Sequence, residues 1–208
     1  MRLKHGGFLD AKKIAELYIA AFPDSVRFFF KKKAPTKLLI LVTNSFGLKL
    51  LWGGQAILAQ DSNNQVVGYC IYSMKPNMFW KNLSYKTLNS TLRMGCLVIC
   101  SILPSEVIKL AVNQLVMAVC KKRDWHPPPE NARIVSIAVS PEMQGLGIGT
   151  KLLNAAVADL HSHNVFLNVR SNNKAGRKMY ENVKFQYYGK TKDLLGEWLM
   201  MVWRENIE

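Results

Sequence analysis

Carboxylates are scarce in this chain: 14 Asp and Glu stand against 28 Lys and Arg in 208 residues, a formal charge of +14. Such an excess favours polyanionic partners (nucleic acid, an anionic membrane, a phosphate-rich ligand) without choosing among them. Cysteine is scarce too. Cys70, Cys96, Cys100 and Cys120 form no Cys-x-x-Cys pair and have no histidines nearby at zinc-ligand spacing, so neither a metal site nor a disulfide scaffold is expected. Cys96 and Cys100 stand i,i+4 on a helical stretch and read as neighbouring core positions, and a reducing, cytoplasmic setting follows as the expectation. Long apolar runs are also missing. The longest, 96–103, is bounded by Arg93 on one side and by Pro104, Glu106 and Lys109 on the other. It falls well short of the ~20 residues a membrane span needs. The opening Met-Arg-Leu-Lys-His-Gly-Gly leads into a charged amphipathic stretch, unlike a signal peptide. An integral membrane protein is excluded; peripheral contact with a membrane stays open.

What is present is enough apolar residue, 49%, for a core, and the length suits one domain spanning 1–208. Three segments compose it. In the first, 1–76, helical periodicity runs over 10–22 (Ile14, Leu17, Tyr18, Ala21), with Asp10 to cap its start and Pro23 to close it. Pro35 opens a second helix through 37–52. The β-prone runs 56–60 and 66–73 flank Asp61-Ser-Asn-Asn64, a hairpin. The second segment, 77–131, carries apolar residues in helical patterns (Leu103, Val107, Leu110, Leu115, Met117) and ends in Lys121-Lys-Arg123 and Pro127-Pro-Pro129. It reads as a helical insertion closed by a stiff, extended linker. The third, 132–208, alternates strand 134–139, glycine turn 141–149, helix 150–160, strand 165–169, helix 173–182 and strands 185–190 and 198–203. That order is α/β.

The chemistry-bearing segment is 137–150, Ile-Ala-Val-Ser-Pro-Glu-Met-Gln-Gly-Leu-Gly-Ile-Gly-Thr. Gln144, Gly147 and Gly149 satisfy a Gln/Arg-x-x-Gly-x-Gly/Ala pattern between a strand and a helix. Glycines admit otherwise costly dihedrals and close ligand approach, and the helix that follows aims its unpaired N–H groups at the same point. The alternating Gly145, Gly147 and Gly149 do not make the Gly-x-Gly-x-x-Gly of a dinucleotide site, and Gly149-Thr-Lys151 inverts the order of a nucleotide P-loop. The alternative is a strand-to-helix turn that binds nothing.

With a second segment, 173–185, Asn-Lys-Ala-Gly-Arg-Lys-Met-Tyr-Glu-Asn-Val-Lys-Phe, the sequence resembles the GNAT (GCN5-related N-acetyltransferase) superfamily, whose members transfer an acetyl group from acetyl-CoA. This stretch is similar to the family's Asn-x-x-Ala-x-x-x-Tyr-x-x-x-Gly-Phe, with Gly176 for the usual Ala and Lys184 for the usual Gly. The resemblance covers about 132–203 strongly and the N-terminal half by element order only. It implies a mixed central sheet of six to seven strands flanked by helices, with the helical insertion placed before the strand that precedes the CoA loop. It also implies that Ile137, Ala138 and Val139 splay from the neighbouring strand and pair with the pantetheine arm. Gln144, Gly145, Leu146, Gly147, Ile148, Gly149 and Thr150 would hold the pyrophosphate. Asn173 and Gly176 would join the CoA site, with the Asn173 side chain bonding the pantetheine. Tyr180 would lie near the thioester sulfur as general acid, its alternative a packed helix tyrosine, and no metal is implied. A strand amide near Ala138 or Val139 would meet the developing oxyanion.

The residues agree in part. Residues 165–192 hold seven cations (Arg170, Lys174, Arg177, Lys178, Lys184, Lys190, Lys192) against Glu181 alone, a cluster that either attracts CoA or is a solvated face. No base is evident. Where some family members carry a glutamate this chain has Arg133, and 131–141 contain no carboxylate. Ser136 lacks an evident partner, His126 sits in a loop, and Glu142 suits a solvated or capping role. No cysteine is assigned as nucleophile. The expected activity is acetyl transfer to an amine of unidentified acceptor. The alternatives are a non-catalytic acyl-CoA-binding module and, more weakly, a nucleic-acid binder, which lacks any recognisable module.

Residues 1–50 hold ten Lys and Arg against three acids. With Lys121–Arg123 they suggest a small-molecule or macromolecular acceptor that is anionic or borne on an anionic carrier, or else simply a basic surface. Phe28-Phe-Phe30 before Lys31-Lys-Lys33 suits core aromatics followed by a helix cap, a membrane interface or base stacking. An exposed strand at 198–203 would allow pairing into a homodimer.

Overall fold

The computed structural model describes residues 1–74, 85–129, 132–161 and 163–204. The first residues of the insertion, 77–84, and its last, 130–131, lie outside them. Eight strands form one mixed sheet: β1 (Arg2–Gly6), β2 (Gly54–Gln60), β3 (Val66–Met74), β4 (Lys122–Arg123), β5 (Ala132–Val139), β6 (Val165–Arg170), β7 (Gln186–Asp193) and β8 (Gly196–Trp203). Their spatial order is β1-β2-β3-β5-β6-β8-β7-β4. The helices are α1 (Ala11–Ala21), α2 (Pro23–Phe30), α3 (Pro35–Leu51), α4 (Tyr85–Ser101), α5 (Pro104–Val119), α6 (Ile148–Asp159) and α7 (Lys174–Asn182).

The strand count exceeds the expected six to seven because two short, charged edge strands close the sheet. β1 carries Arg2, Lys4 and His5 along β2, and β4 is Lys122 and Arg123 against Lys190 and Gly189. Charged, short edges of this kind discourage pairing with other chains, and they lack the apolar alternation by which strands are recognised. β8 is not an edge: it is paired with β6 on one side and β7 on the other. The basis for a dimer through 198–203 is therefore absent, because both rows of its backbone groups are already used.

Pro23 opens α2 instead of merely closing α1, since at the first helical position its missing N–H costs nothing. Asp10 sits at the start of α1, yet its carboxylate turns back to accept from the Gly7 amide (3.1 Å) and the Lys4 ammonium (3.4 Å). Phe28, Phe29 and Phe30 are half-buried at the end of α2, with only Phe30 packed against the small cluster of Ala15, Leu38 and Val42. Cys96 and Cys100 are exposed on α4, a correction to their reading as core, whereas Cys70 is fully buried.

The sheet packs helices on both faces. On one, Leu152, Leu153, Ala156 and Val157 of α6 meet Cys70 and Tyr72 of β3, Ile134, and Tyr180 of α7. On the other, Ile14 of α1 and Leu50 of α3 meet Leu58, Tyr69, Ile71 and Ala138. The end of α7 is a complete Schellman closure. The Phe185 amide donates to the Tyr180 carbonyl (3.0 Å), and the Lys184 amide donates to the Glu181 carbonyl (2.9 Å). The rings of Tyr180 and Phe185 supply the apolar contact that accompanies this motif, 5.9 Å apart. The motif needs a left-handed residue after the helix, and Lys184 fills that place at φ +71°. Lys184→Gly is expected to raise stability by about 1 kcal/mol in urea unfolding, since glycine pays no left-handed penalty. A lower midpoint would mean that the lysine side chain makes a compensating contact.

Candidate active site

The sheet consists of two antiparallel halves, β1-β2-β3-β5 and β6-β8-β7-β4, joined by a single parallel contact between β5 and β6. That contact has just two register positions, Ala132 with Val165 and Arg133 with Phe166. Beyond it β5 stays paired with β3 as far as Val139, and β6 stays paired with β8 as far as Arg170. From Ile134 onward, then, the facing edges of β5 and β6 are unpaired. A row of unused donors and acceptors along one strand is a template for an extended ligand. The expected splay of Ile137, Ala138 and Val139 is present.

A β-bulge accompanies the opening. Ile71 faces Ser136 while the next residue, Tyr72, faces Ile134, so Val135 is the extra residue of β5. A bulge bends its strand and shifts the pleat by one residue. Accordingly Ile134, Ile137 and Val139 pack towards α6 and α7, while Ala138 packs towards α1 and α3. Ser136 lies on the Ala138 side, its hydroxyl 2.9 Å from that of Tyr69. Ser136 therefore has a partner, which sequence could not reveal because the two residues are 67 positions apart. Burial pushes the Tyr69 phenol up, the hydrogen bond to Ser136 opposing, and so keeps it protonated at neutral pH.

At the open end of β5, a short 3-10 turn (Pro141–Met143) leads to Gln144, whose side-chain amide donates to the Val139 carbonyl at 3.1 Å. Gly145 and Gly147 follow with φ +81° and +73°, and a Cβ at either would meet nothing within 4 Å. These two glycines are demanded by backbone conformation, and the space in front of them is open. Gly149 differs: a Cβ there would stand 2.8 Å from Met179 Sδ, so it sets the close packing of α6 on α7. The first hydrogen bond closing α6 is donated by Lys151 to Gly147 (3.1 Å). The amides of Ile148, Gly149 and Thr150 precede it at the positive end of the helix, as an anion site requires. The exposed loop Gln144–Gly147 and this helix start meet the open end of the β5–β6 gap. Among the described residues no group of His, Cys, Asp or Glu could hold a metal.

Asn173 sits at the start of α7, but its Oδ1 accepts from the Gly176 amide at 2.9 Å, capping its own helix. A Cβ at Gly176 would lie 2.7 Å from Asn173 Nδ2, so glycine leaves this side-chain orientation unhindered. Tyr180 is buried in the main core, and burial, with Cys70 nearby, holds its phenol above the ordinary range. Cys70 is itself a buried thiol pushed up by desolvation, consistent with the absence of a cysteine nucleophile.

Of the seven cations in 165–192, three are engaged structurally. Arg170 makes a two-pronged pair with Asp193 (2.6 and 2.8 Å) and lies over the Trp198 ring, 4.0 Å from its centroid. Burial opposes ionisation of Asp193, yet the bonds from Arg170 and the Leu195 amide outweigh it and hold the carboxyl below its usual range. Arg177 donates to the Ser171 carbonyl, and Lys190 pairs with Glu197. Lys174, Lys178, Lys184 and Lys192 are exposed. His126 and Glu142 are exposed as well. Near the Arg133 position a second cation takes part: Lys49, at the end of α3, is pushed down by burial and by the charge of Arg133.

The sequence model of the acetyltransferase (GNAT) family matches residues 111–185, which span the gap, the glycine loop and α7. Over those residues the chain is similar to GNAT acetyltransferases. Solved structures with this fold include an N-acetyltransferase from Staphylococcus aureus (18% identity, 98% of this chain and 100% of that one, TM-score 0.64). A histone acetyltransferase HPA2-related acetyltransferase from Corynebacterium glutamicum is similar at 16% identity (99% and 97% covered, TM-score 0.62). YncA of Salmonella typhimurium, crystallised with its cofactor acetyl-CoA, is similar at 14% identity (100% and 95% covered, TM-score 0.58). No curated protein matches the chain in sequence. That family's co-substrate is acetyl-CoA, and the matched residues here combine an unpaired strand edge with a glycine-lined helix start.

Proposed function

We infer that this GNAT protein is an acetyl-CoA-dependent N-acetyltransferase acting on a primary amine. The observation that carries the reading is the β5–β6 gap opening directly onto the Gln144–Thr150 loop. Acetyl-CoA supplies the thioester carbonyl. The β5 edge fixes the arm along Ile137–Val139, and Gly145 to Thr150 hold the phosphates. Gln144 releases the Val139 carbonyl as the arm arrives. Holding both reactants removes much of the entropic barrier. The neutral amine attacks the carbonyl carbon, the C–N bond forms, the C–S bond breaks, the departing sulfur accepts a hydrogen bond from Tyr180, and the proton lost by the amine nitrogen leaves through solvent to end on the free thiol. A phenol held above its ordinary range donates such a bond without giving up its proton fully to a thiolate of pKa ~8.5. With no carboxylate on β5 to take its proton, the amine must be neutral before it attacks.

Calorimetric titration with acetyl-CoA, with adenosine diphosphate as control, tests the site. Micromolar binding that depends on the pantetheine arm is expected, followed by thiol release with a panel of amines. No binding by the folded chain sinks the reading. Tyr180→Phe is expected to lower turnover by about 10-fold or more with little change in acetyl-CoA affinity. Unchanged turnover would remove Tyr180 from the chemistry and leave it a core residue. The cationic neighbourhood of Arg133 and Lys49 favours a second reading, a CoA-binding module without catalysis, which binding without thiol release from any amine would establish.

A further inference from the structure

Helix α5 is turned inside out. On a surface helix the apolar stripe ordinarily faces the core and the polar residues face water. Here Glu106 and Asn113 are the buried residues of α5. Glu106 pairs with Lys33 at 2.9 Å, Asn113 Oδ1 accepts from the Leu194 amide at 3.0 Å, and the Met117 carbonyl accepts from the Thr191 hydroxyl at 2.6 Å. Lys109, on the same side, bonds the Phe28 carbonyl and sits 3.8 Å over that ring. Polar groups thus fasten α5 to α2, to the α2–α3 turn and to β7. The opposite stripe, Val107, Ile108, Val112, Leu115 and Val119, faces outward, with Ile108 63%, Leu115 64% and Val119 76% exposed.

The helix before it adds a second stripe. On α4, which packs on α3, Leu88, Leu92 and Ile99 are exposed, continuing to Leu103 at the corner where the two helices bend by 103°. Neither helix alone is long and apolar enough to cross a membrane. Exposed apolar side chains gathered along two adjoining helices mark a surface that another phase covers.

The charges identify that phase. Residues 88–123 contain Arg93, Lys109, Lys121, Lys122 and Arg123 against Glu106 alone, and Glu106 is neutralised by Lys33. A groove of about 580 Å³ between α2 and α5 runs up to Leu103, lined by four cations (Arg27, Lys31, Lys32 and Lys109) against Asp24 and the Lys33-paired Glu106. Two copies of such a face would repel each other. An anionic bilayer accepts both components, the apolar stripes into the acyl boundary and the cations among the headgroups. We propose that the outward faces of α4 and α5, with the cationic groove beside them, dock this protein flat on an anionic lipid surface. Docking of this kind is independent of the acetyl-transfer reading.

Flotation of the full chain with phosphatidylcholine vesicles, with and without phosphatidylglycerol, tests it. Flotation with the anionic vesicles is expected, weakening with salt. The triple variant Ile108→Ser, Leu115→Ser, Val119→Ser should lower partitioning at least about tenfold, because its three outward side chains no longer enter the acyl boundary. Lys31→Glu with Lys32→Glu, which leaves the apolar stripes intact, should lower it about tenfold on anionic vesicles only. Failure of the wild-type chain to float, or undiminished flotation of both variants, overturns the proposal. So does light scattering that shows a dimer dispersed by the triple variant, which would assign the stripes to a second copy.

Discussion

Gly147→Val is expected to weaken acetyl-CoA binding by at least ~100-fold, about 2.7 kcal/mol, in a chain that still folds. Two effects combine. The φ of +73° at Gly147 lies where a β-branched residue is a genuine outlier, costing about 1–2 kcal/mol and displacing the turn. The added side chain also enters space that is now empty, directly before the unpaired amides at the start of α6, where the phosphates must come. Because no atom beyond the adjacent residues of the loop lies within 4 Å of that Cβ, the core is not asked to repack. Calorimetric titration paired with a thermal melt separates the two losses. Affinity within a few-fold of wild type would detach the loop from the cofactor and leave it a structural turn.

The second large effect concerns stability. Lys33→Met is expected to destabilise the chain by about 3–5 kcal/mol, since removing one partner of a buried pair strands the other. The Lys33 and Glu106 side chains are only 2% and 7% exposed, and Glu106 also accepts from the Leu103 amide at 2.8 Å, closing the start of α5. For a chain of this size the melting temperature should fall by roughly 10 °C. Adding Glu106→Gln, which removes the stranded charge and keeps an oxygen for the Leu103 amide, should restore most of the loss. If the double variant melts no higher than the single one, the packing of the lysine stem, not the charge, is what holds α5 in place.

These two sites differ in how far they could be read from sequence. The glycine loop was legible because its requirements are local. Gly145 and Gly147 adopt positive φ within a few residues of the helix they precede, and chirality alone restricts such positions to glycine. The 56–60/66–73 hairpin, α3, α6, β6 and α7 were legible for the same reason, through periodicity, proline at a helix start and turn residues. Lys184 was visible as a departure from the family pattern, and its left-handed φ shows what the departure costs.

The remainder is decided by pairings between distant segments. Whether β5 parts from β6 depends on where the parallel register stops, and whether Ser136 shares a side with Ala138 depends on a one-residue bulge against β3. Neither leaves a mark in local composition. The cationic stretch 165–192 ends one residue before Asp193, which takes up Arg170 of β6 from the end of β7. The stripe 198–203 read as an exposed strand because an apolar strand carries no label for how many neighbours it has. Asn173 reads toward the ligand by resemblance, and only the structure shows that its Oδ1 caps its own helix. Most clearly, sequence determined that α5 is an amphipathic helix, but not which of its faces turns inward. Periodicity fixes the angle between an apolar and a polar stripe; only the placement of Lys33, Thr191 and Leu194 decided that the polar stripe would be the one satisfied inside.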